Sequence, residues 1–132
     1  MSNEKWIGLN DKVVIVTGGA MGIGEATVKD LYNCGAKVAI FDMAEPKEEN
    51  LNEDIKFFKL DIRNKEEVEN AVQNVLKAFG HIDALVNDAG VTRPRILVDY
   101  YGKEPKYELD EEMFDFMVSV NQKGSYSIIH SV

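Results

Sequence analysis

The sequence is poor in the residues that mark secreted, membrane-spanning and disulfide-rich proteins. Its 132 residues include a single cysteine, Cys34, so no internal disulfide can form, which is typical of a reducing compartment. No apolar run approaches the ~18 residues that a membrane span needs. The polar N-terminal residues show no signal-peptide pattern. We therefore expect a cytoplasmic protein without a membrane partner.

Basic residues are outnumbered by acidic ones. The 15 Lys and Arg against 23 Asp and Glu give a formal net charge of −8, whereas binding to nucleic acid requires a basic surface. No His, Cys, Asp or Glu spacing typical of a metal site occurs. We expect neither nucleic acid nor a metal ion as a partner. The composition, 45% hydrophobic and 29% charged, is that of a globular domain, which we place at residues 1–132.

The apolar pattern predicts strands that alternate with helices. Runs at residues 12–17, 37–41, 55–60 and 84–87 indicate buried strands. Helices are expected after the glycine cluster of residues 18–24, over residues 64–79, and from an N-cap at Asp110 to the end of the chain, with a loop over residues 91–109. This order predicts an α/β fold, a Rossmann-type doubly wound parallel sheet in strand order 3-2-1-4 that lacks its remaining strands.

Helix ends and faces can also be predicted. Asn64 is the expected N-cap of the second helix, with Glu67 completing a capping box, and Gly35 and Gly80 are expected C-terminal stops. The face of the first helix that packs on the sheet is predicted to carry Ile23, Ala26, Thr27, Leu31 and Cys34.

A glycine-rich turn joins the first strand to the first helix. Glycines allow a phosphate to approach the backbone, and the N-terminus of the following helix favours its negative charge. The spacing G-x-x-x-G-x-G in this context predicts a dinucleotide site, with a purely structural tight turn as the alternative. The predicted cofactor-binding residues of the turn are Gly18, Met21, Gly22, Ile23 and Gly24.

Asp42 follows the second strand and sharpens the cofactor prediction. A carboxylate at this position can accept hydrogen bonds from both ribose hydroxyls of an adenosine, and it would repel a 2′-phosphate. Neither residues 18–24 nor Met43 supplies an Arg or Lys for that phosphate. The prediction is NAD rather than NADP, with a solvated turn residue as the alternative for Asp42.

Four motifs in this order resemble the short-chain dehydrogenase/reductase family. They are the T-G-x-x-x-G-x-G turn from Thr17 to Gly24, the pair Asp61-Ile62, the segment N-D-A-G from Asn87 to Gly90, and Asn121 in V-N-Q-K-G. The resemblance implies an NAD-dependent oxidoreductase that binds its cofactor also through Asp61, Ile62, Asn87, Ala89 and Gly90. It further implies that Asn121 belongs to the catalytic residues.

The sequence departs from the family pattern in two places. Asp88 stands where the family has Asn, which removes two N–H donors and adds a charge. The resemblance implies a Ser and a Tyr-x-x-x-Lys after a fifth strand, and these 132 residues hold no fifth predicted strand and no Tyr that is followed four positions later by Lys. We expect this chain, about half the length that both halves of the fold require, to be inactive alone.

The stretch between Gly90 and Asn121 resembles the branch of the family that acts on sorbitol 6-phosphate. Residues 91–107 hold four bases, Arg93, Arg95, Lys103 and Lys106, against two acids, which suits a substrate phosphate. A solvated loop is the alternative. The implied substrate is a phosphorylated sugar alcohol that is oxidised to a ketose phosphate.

Three interpretations of the chain remain open. In the first, the chain is the N-terminal half of such an oxidoreductase. In the second, it is a non-catalytic module that binds NAD or adenosine. In the third, it is an interaction fragment that completes a separate C-terminal half of the fold. The fourth strand would be an open sheet edge, which favours self-association or a homo-oligomer.

Overall fold

The computed structural model describes residues 7–132. The strands are β1 (Val13–Thr17), β2 (Lys37–Asp42), β3 (Ile55–Lys59) and β4 (Ala84–Asn87), and the helices are α1 (Gly22–Asn33), α2 (Lys65–Phe79), α3 (Glu111–Val118) and α4 (Ser125–Ser131). A 3-10 turn covers Glu48–Asn50, and a π-helical segment, Ser119–Gly124, joins α3 to α4. In this part of the chain, no helix is long and apolar enough to cross a bilayer.

The four strands form one parallel sheet in the order β3-β2-β1-β4, which confirms the predicted α/β fold and strand order. The register sets Thr17, the last residue of β1, opposite Phe41 of β2 and Asn87 of β4. The carboxyl ends of these strands therefore meet at one edge of the sheet. In open parallel sheets this edge is where ligands bind.

Helices cover both faces of the sheet, which explains why all five residues of β1 are buried. On one face, Val68, Val72 and Val75 of α2 pack with Ile128 of α4 against the strands. On the other face, Val28 of α1 packs against the alternate residues of β1 and β2. Strand β4 lies at the sheet edge and is only half-buried at its centre.

The predicted inner face of α1 is wrong at two positions. Ile23 is 77% exposed and Ala26 is also exposed, whereas Gly24, Val28 and Cys34 are buried. The close approach of Gly24 to the glycine turn sets the rotation of the helix. That rotation directs Val28 onto the sheet and leaves Ile23 on the side of the glycine turn.

The predicted caps of α2 are confirmed, with one difference. The Asn64 side chain accepts hydrogen bonds from the N–H groups of Glu66 and Glu67, at 3.1 and 3.3 Å. The Glu67 carboxylate bonds the N–H of Asp61 and the side-chain amide of Asn64, instead of the backbone N–H of Asn64. Gly80 ends the helix in a left-handed conformation, at φ 88°.

The C-terminal helical region starts where predicted but is not one continuous α-helix. Asp110 caps α3 by accepting the N–H of Met113 at 2.7 Å. After Val118 the backbone widens into the π-helical segment, which sequence periodicity did not predict. Such widened turns are frequent at functional sites. This one contains Asn121.

Candidate nucleotide-binding site

The glycine turn is tight because two of its glycines have no room for a side chain. A Cβ on Gly18 would lie 2.9 Å from the Cα of Ala89, and a Cβ on Gly24 would lie 2.0 Å from the carbonyl oxygen of Gly18. A Cβ on Gly22 would meet nothing within 4 Å, but its φ of 60° favours glycine. The absence of a side chain at Gly18 and Gly24 therefore allows the backbone segments of the turn to pack closely. Gly22 instead allows a left-handed backbone conformation.

Asp42, the last residue of β2, forms a hydrogen bond to the glycine turn. Its Oδ2 accepts the N–H of Ala20 at 3.0 Å, and its Oδ1 accepts the N–H of Ala44 at 3.0 Å. Because an ionised carboxylate has about four acceptor sites, each oxygen retains capacity for a further donor. Two adjacent hydroxyl groups are donors that fit this arrangement.

A cavity of about 480 Å³ lies between these elements, which is within the range of small-molecule sites. Eight of the predicted site residues line it: Gly18, Met21, Ile23, Asp42, Asp61, Ile62, Ala89 and Gly90. Gly22 and Gly24 belong to the glycine turn but do not line the cavity. The two remaining predicted residues, Asn87 and Asn121, line an adjoining open cavity together with Ala89, Gly90 and Ser125.

Thr17 holds the segment after β4 in place. The Thr17 side chain is fully buried, its hydroxyl accepts the N–H groups of Asp88 and Ala89 at 3.1 Å each, and it lies 3.3 Å from Oδ1 of Asn87. These bonds involve the backbone of residue 88 and not its side chain. The turn after β4 is therefore held without a bond from the Asp88 side chain.

The cavity lining carries three carboxylates, Asp42, Asp61 and Asp88, and one cation, Arg63. Arg63 binds Asp61 through Nε, at 3.0 and 2.9 Å from the two carboxylate oxygens, and through Nη2, at 2.5 Å from Oδ2. The hydrogen bonds from the Arg63 side chain are the main reason that the pKa of Asp61 lies below its usual range. A phosphate placed beside Asp42 would meet its carboxylate, which disfavours it.

Asn121 joins the π-helical segment to the loop after β4. Its Nδ2 donates to the carbonyl of Val91 and its Oδ1 accepts the N–H of Val91, both at 2.8 Å. The carboxamide therefore pairs with the backbone as a neighbouring strand would. In this arrangement Asn121 shapes the edge of the second cavity by holding Val91.

Sequence reasoning missed several residues of the cavity lining, among them the side chains of Arg63 and Phe116. Arg63 was overlooked, although an Arg two residues after an Asp at a strand end signals a local ion pair. Phe116 was not expected, because helical periodicity after Asp110 does not show which side chains reach the cavity. Both side chains line the cavity, and the guanidinium carbon of Arg63 lies 5.4 Å from the centre of the Phe116 ring.

The bases of the 91–107 loop do not converge on one point. Arg93 lies over the ring of Phe116, at 4.8 Å, and Arg95 lies over the ring of Tyr107, at 4.3 Å. Lys106 is 4.0 Å from the carboxylate of Glu108. Arg93 therefore belongs to the surroundings of the first cavity. Within residues 7–132, no three His, Cys, Asp or Glu side chains are grouped to hold a metal ion.

Comparison with known proteins adds a family match. A family model described as short chain dehydrogenase matches residues 12–132. Over 127 residues the chain is 39% identical to the sorbitol-6-phosphate 2-dehydrogenase of Klebsiella pneumoniae, covering 96% of this chain and 48% of that protein. Over 126 residues it is 36% identical to short-chain dehydrogenase reductase 5 of Arabidopsis thaliana, covering 92% and 46%.

A solved structure supports the same grouping. The chain is similar to a 3-ketoacyl-(acyl-carrier-protein) reductase from Brucella melitensis complexed with NADH, with a TM-score of 0.82 and 30% identity. The match covers 93% of this chain and 49% of that one. The chain thus spans about half the length of the curated relatives it matches.

Proposed function

The chain belongs to the short-chain dehydrogenase family, and from that premise we propose that it forms the NAD-binding part of an oxidoreductase acting on a phosphorylated sugar alcohol. The observation that carries the cofactor assignment is the meeting of the glycine turn and the Asp42 carboxylate in one cavity. In this proposal NAD, when bound, supplies the hydride acceptor.

Each part of the cavity has a role in this proposal. The backbone of the glycine turn, at the N-terminus of α1, binds the pyrophosphate. Asp42 accepts hydrogen bonds from the ribose hydroxyls and repels a 2′-phosphate. The adenine ring lies against Asp61, Ile62, Ala89 and Gly90. Asn121 acts as a positioning residue that holds Val91 at the edge of the second cavity.

The charge at residue 42 tests the preference for NAD. Calorimetric titration of the wild-type chain and of Asp42→Asn with NAD and NADP is expected to give at least a tenfold smaller preference for NAD in the variant. The reason is that Asp42→Asn removes the repulsion of the 2′-phosphate and one charged acceptor for the ribose. An unchanged preference would contradict the role of Asp42.

Glu45→Gln is the matched control for this test. It removes one negative charge from an exposed carboxylate that pairs with Lys59 at 3.4 Å and does not line the cavity. It is expected to leave the NAD-to-NADP ratio within about twofold of wild type, since exposed charges are screened by salt. A change as large as that of Asp42→Asn would mean that net charge, and not the Asp42 contact, sets the preference.

The substrate class has two sources of support. One is the 39% identity to a sorbitol-6-phosphate 2-dehydrogenase. The other is the exposed guanidinium of Arg95, which stacks on the ring of Tyr107. It donates one hydrogen bond to the carbonyl of Pro94, so its other N–H groups remain available to a phosphate. Sorbitol 6-phosphate is expected to bind more tightly than sorbitol, and equal affinities would contradict the assignment.

The 132-residue chain by itself is expected to bind NAD without transferring hydride. Its sequence lacks the Tyr-x-x-x-Lys that the family uses as its general acid and base. Spectrophotometric assay of pure protein with NAD and sorbitol 6-phosphate checks this. Formation of NADH above the blank would show that other groups of this chain suffice.

We also propose that this chain associates with a second copy of itself. Within residues 7–132, β4 pairs with β1 alone and leaves its other side unpaired. Large apolar side chains of the C-terminal helices are exposed, namely Phe114, Tyr126 and Ile129. Such an edge favours association. Sedimentation velocity is expected to show species larger than the monomer, and a monodisperse monomer would refute this.

A further inference from the structure

We propose that residues 96–109, named here the docking loop, bind a second copy of this chain. The apolar end of the loop of each copy packs on the other copy, and the bases around it face the acidic start of α3 in that copy. This contact is separate from the NAD site, from β4 and from the exposed side chains of Phe114, Tyr126 and Ile129. It rests on the proposed function in one respect, that the partner is a second copy.

The docking loop is held together by its own hydrogen bonds. At its base, the N–H of Ile96 donates to the carbonyl of Tyr107 at 3.2 Å, and the N–H of Leu109 donates to the carbonyl of Ile96 at 2.9 Å. Further along, the Glu108 carboxylate accepts the N–H of Asp99 at 2.7 Å, and the Asp99 carboxylate accepts the N–H of Tyr107 at 3.2 Å. Because these bonds already order the backbone, the loop loses little conformational freedom when a partner binds.

The end of the docking loop presents apolar side chains to solvent. Four of them are between 70% and 93% exposed: Leu97, Val98, Tyr100 and Tyr101. The rings of Tyr100 and Tyr101 meet edge to face, with their centres 5.0 Å apart. A buried Tyr removes about 150–250 Å² from water. Two of them therefore supply roughly 300–500 Å² of the ~800 Å² that each partner contributes to a standard interface.

The charges around this apolar end are complementary to those at the start of α3. Residues 91–107 hold four exposed bases against two acids, whereas residues 110–118 hold four exposed acids and no base: Asp110, Glu111, Glu112 and Asp115. Within residues 7–132, no ion pair joins the bases of residues 91–107 to the acids of residues 110–118.

A two-fold arrangement satisfies both surfaces at once. Copies of one chain associate most often about a two-fold axis, so that the same pair of surfaces meets twice. In such a pair, the basic surface of each copy faces the acidic start of α3 in the other, and the apolar ends of the two loops are covered between them. A second copy is therefore the partner that this surface fits, because it carries both complements.

The first test removes one exposed ring of the docking loop. Sedimentation equilibrium of the whole chain, at a low ionic strength of about 0.05 M, measures the dissociation constant of self-association. Y101S is expected to raise that constant at least about tenfold, since a Tyr at the centre of an interface is a typical hot spot. Y32S is the matched control, because Tyr32 is also exposed but lies on α1, and about wild-type association is expected for it.

The second test reverses charges on each surface. K103E/K106E leaves residues 91–107 with two bases against four acids, and E111K/E112K places two bases at the start of α3. A mixture of the two variants is expected to associate at least about threefold more tightly than either alone, because unlike surfaces then meet. E48K/E49K changes the net charge as E111K/E112K does, in an exposed turn away from α3. Self-association of E111K/E112K is expected to be weaker than that of this control.

The outcomes separate the docking loop from the other proposed contacts. If Y126S weakens association and Y101S does not, the contact through the C-terminal helices stands and the docking loop is overturned. A mixture of the charge-reversed variants that associates no more tightly than its components also overturns it. If wild type is a monomer throughout, both proposed contacts are overturned, whereas NAD binding is not affected. Weaker association of Y101S together with recovery in the mixture supports the docking loop, and circular dichroism melting curves identify a variant whose fold has changed.

Discussion

The hydroxyl of Thr17 offers a sharp test of how the cavity is assembled. Thr17→Val keeps the shape of this fully buried side chain but removes the acceptor of two backbone N–H groups, those of Asp88 and Ala89. Both groups then lose their partner in a partly buried turn. The segment after β4, which lines both cavities through Ala89, would be held by fewer bonds.

The magnitude follows from the two unpaired donors. Leaving a buried donor unsatisfied costs about 1–3 kcal/mol, and the lower end applies here because both groups are only partly buried. Thr17→Val is therefore expected to lower the free energy of unfolding by about 2 kcal/mol. Thr17→Ser keeps the hydroxyl and loses one buried methyl group, so about 0.8 kcal/mol is expected for it.

Urea unfolding followed by circular dichroism measures these differences at a fixed protein concentration. Amide hydrogen exchange adds a local readout, since the N–H groups of Asp88 and Ala89 should lose protection in Thr17→Val and keep it in Thr17→Ser. If the free energy of unfolding of Thr17→Val lies within about 0.5 kcal/mol of wild type, a margin typical of surface substitutions, the Thr17 hydroxyl does not hold the segment after β4.

Three more predictions concern caps, glycines and pH. Asn64→Ala should cost about 1 kcal/mol of stability in urea unfolding, since α2 loses its N-cap. Gly24→Ala should abolish NAD binding in a calorimetric titration because its Cβ would lie 2.0 Å from a carbonyl oxygen of the turn. The Cβ of Gly22→Ala meets no atom within 4 Å but strains a backbone at φ 60° by about 1–2 kcal/mol, so this variant should weaken NAD binding without abolishing it. The pKa of Asp83 is lowered mainly by a hydrogen bond from the backbone N–H of Val13, the first residue of β1, and next by a hydrogen bond from the Lys12 side chain. Its contribution to stability is therefore present above the ordinary carboxyl pKa and lost as the pH falls below it. Thermal melts of Asp83→Asn should depend less on pH in that acidic range than melts of wild type.

Strands and helix ends were predictable because local chemistry decides them. The β-branched run before Thr17 has no place other than a sheet covered on both faces, and it became the fully buried β1. Gly80 and Asn64 act within one helical turn of their own position, so their roles follow from the residues alone. The strand order was predictable because strands that alternate with helices, with a glycine turn after the first strand, are typical of the doubly wound fold, whose order is 3-2-1-4.

Features that depend on distant contacts were not predictable in the same way. The rotation of α1 depends on Gly24 meeting Gly18, a contact that helical periodicity does not encode. The π-helical segment is joined to the loop after β4 by Asn121 and Val91, which lie 30 residues apart in sequence. The partners of Arg93 and Arg95 depend on the path of a long loop, for which the sequence has no periodic signal.

The proposed function depends on binding of the dinucleotide in the cavity between the glycine turn and Asp61. Backbone amide chemical shifts of the ¹⁵N-labelled chain during titration with NAD test it most directly. Saturable shifts are expected in residues 18–24, 42–44, 61–63 and 88–91, with little change in α2 beyond its first turn. Absence of saturable shifts, or shifts centred on another surface, would contradict it.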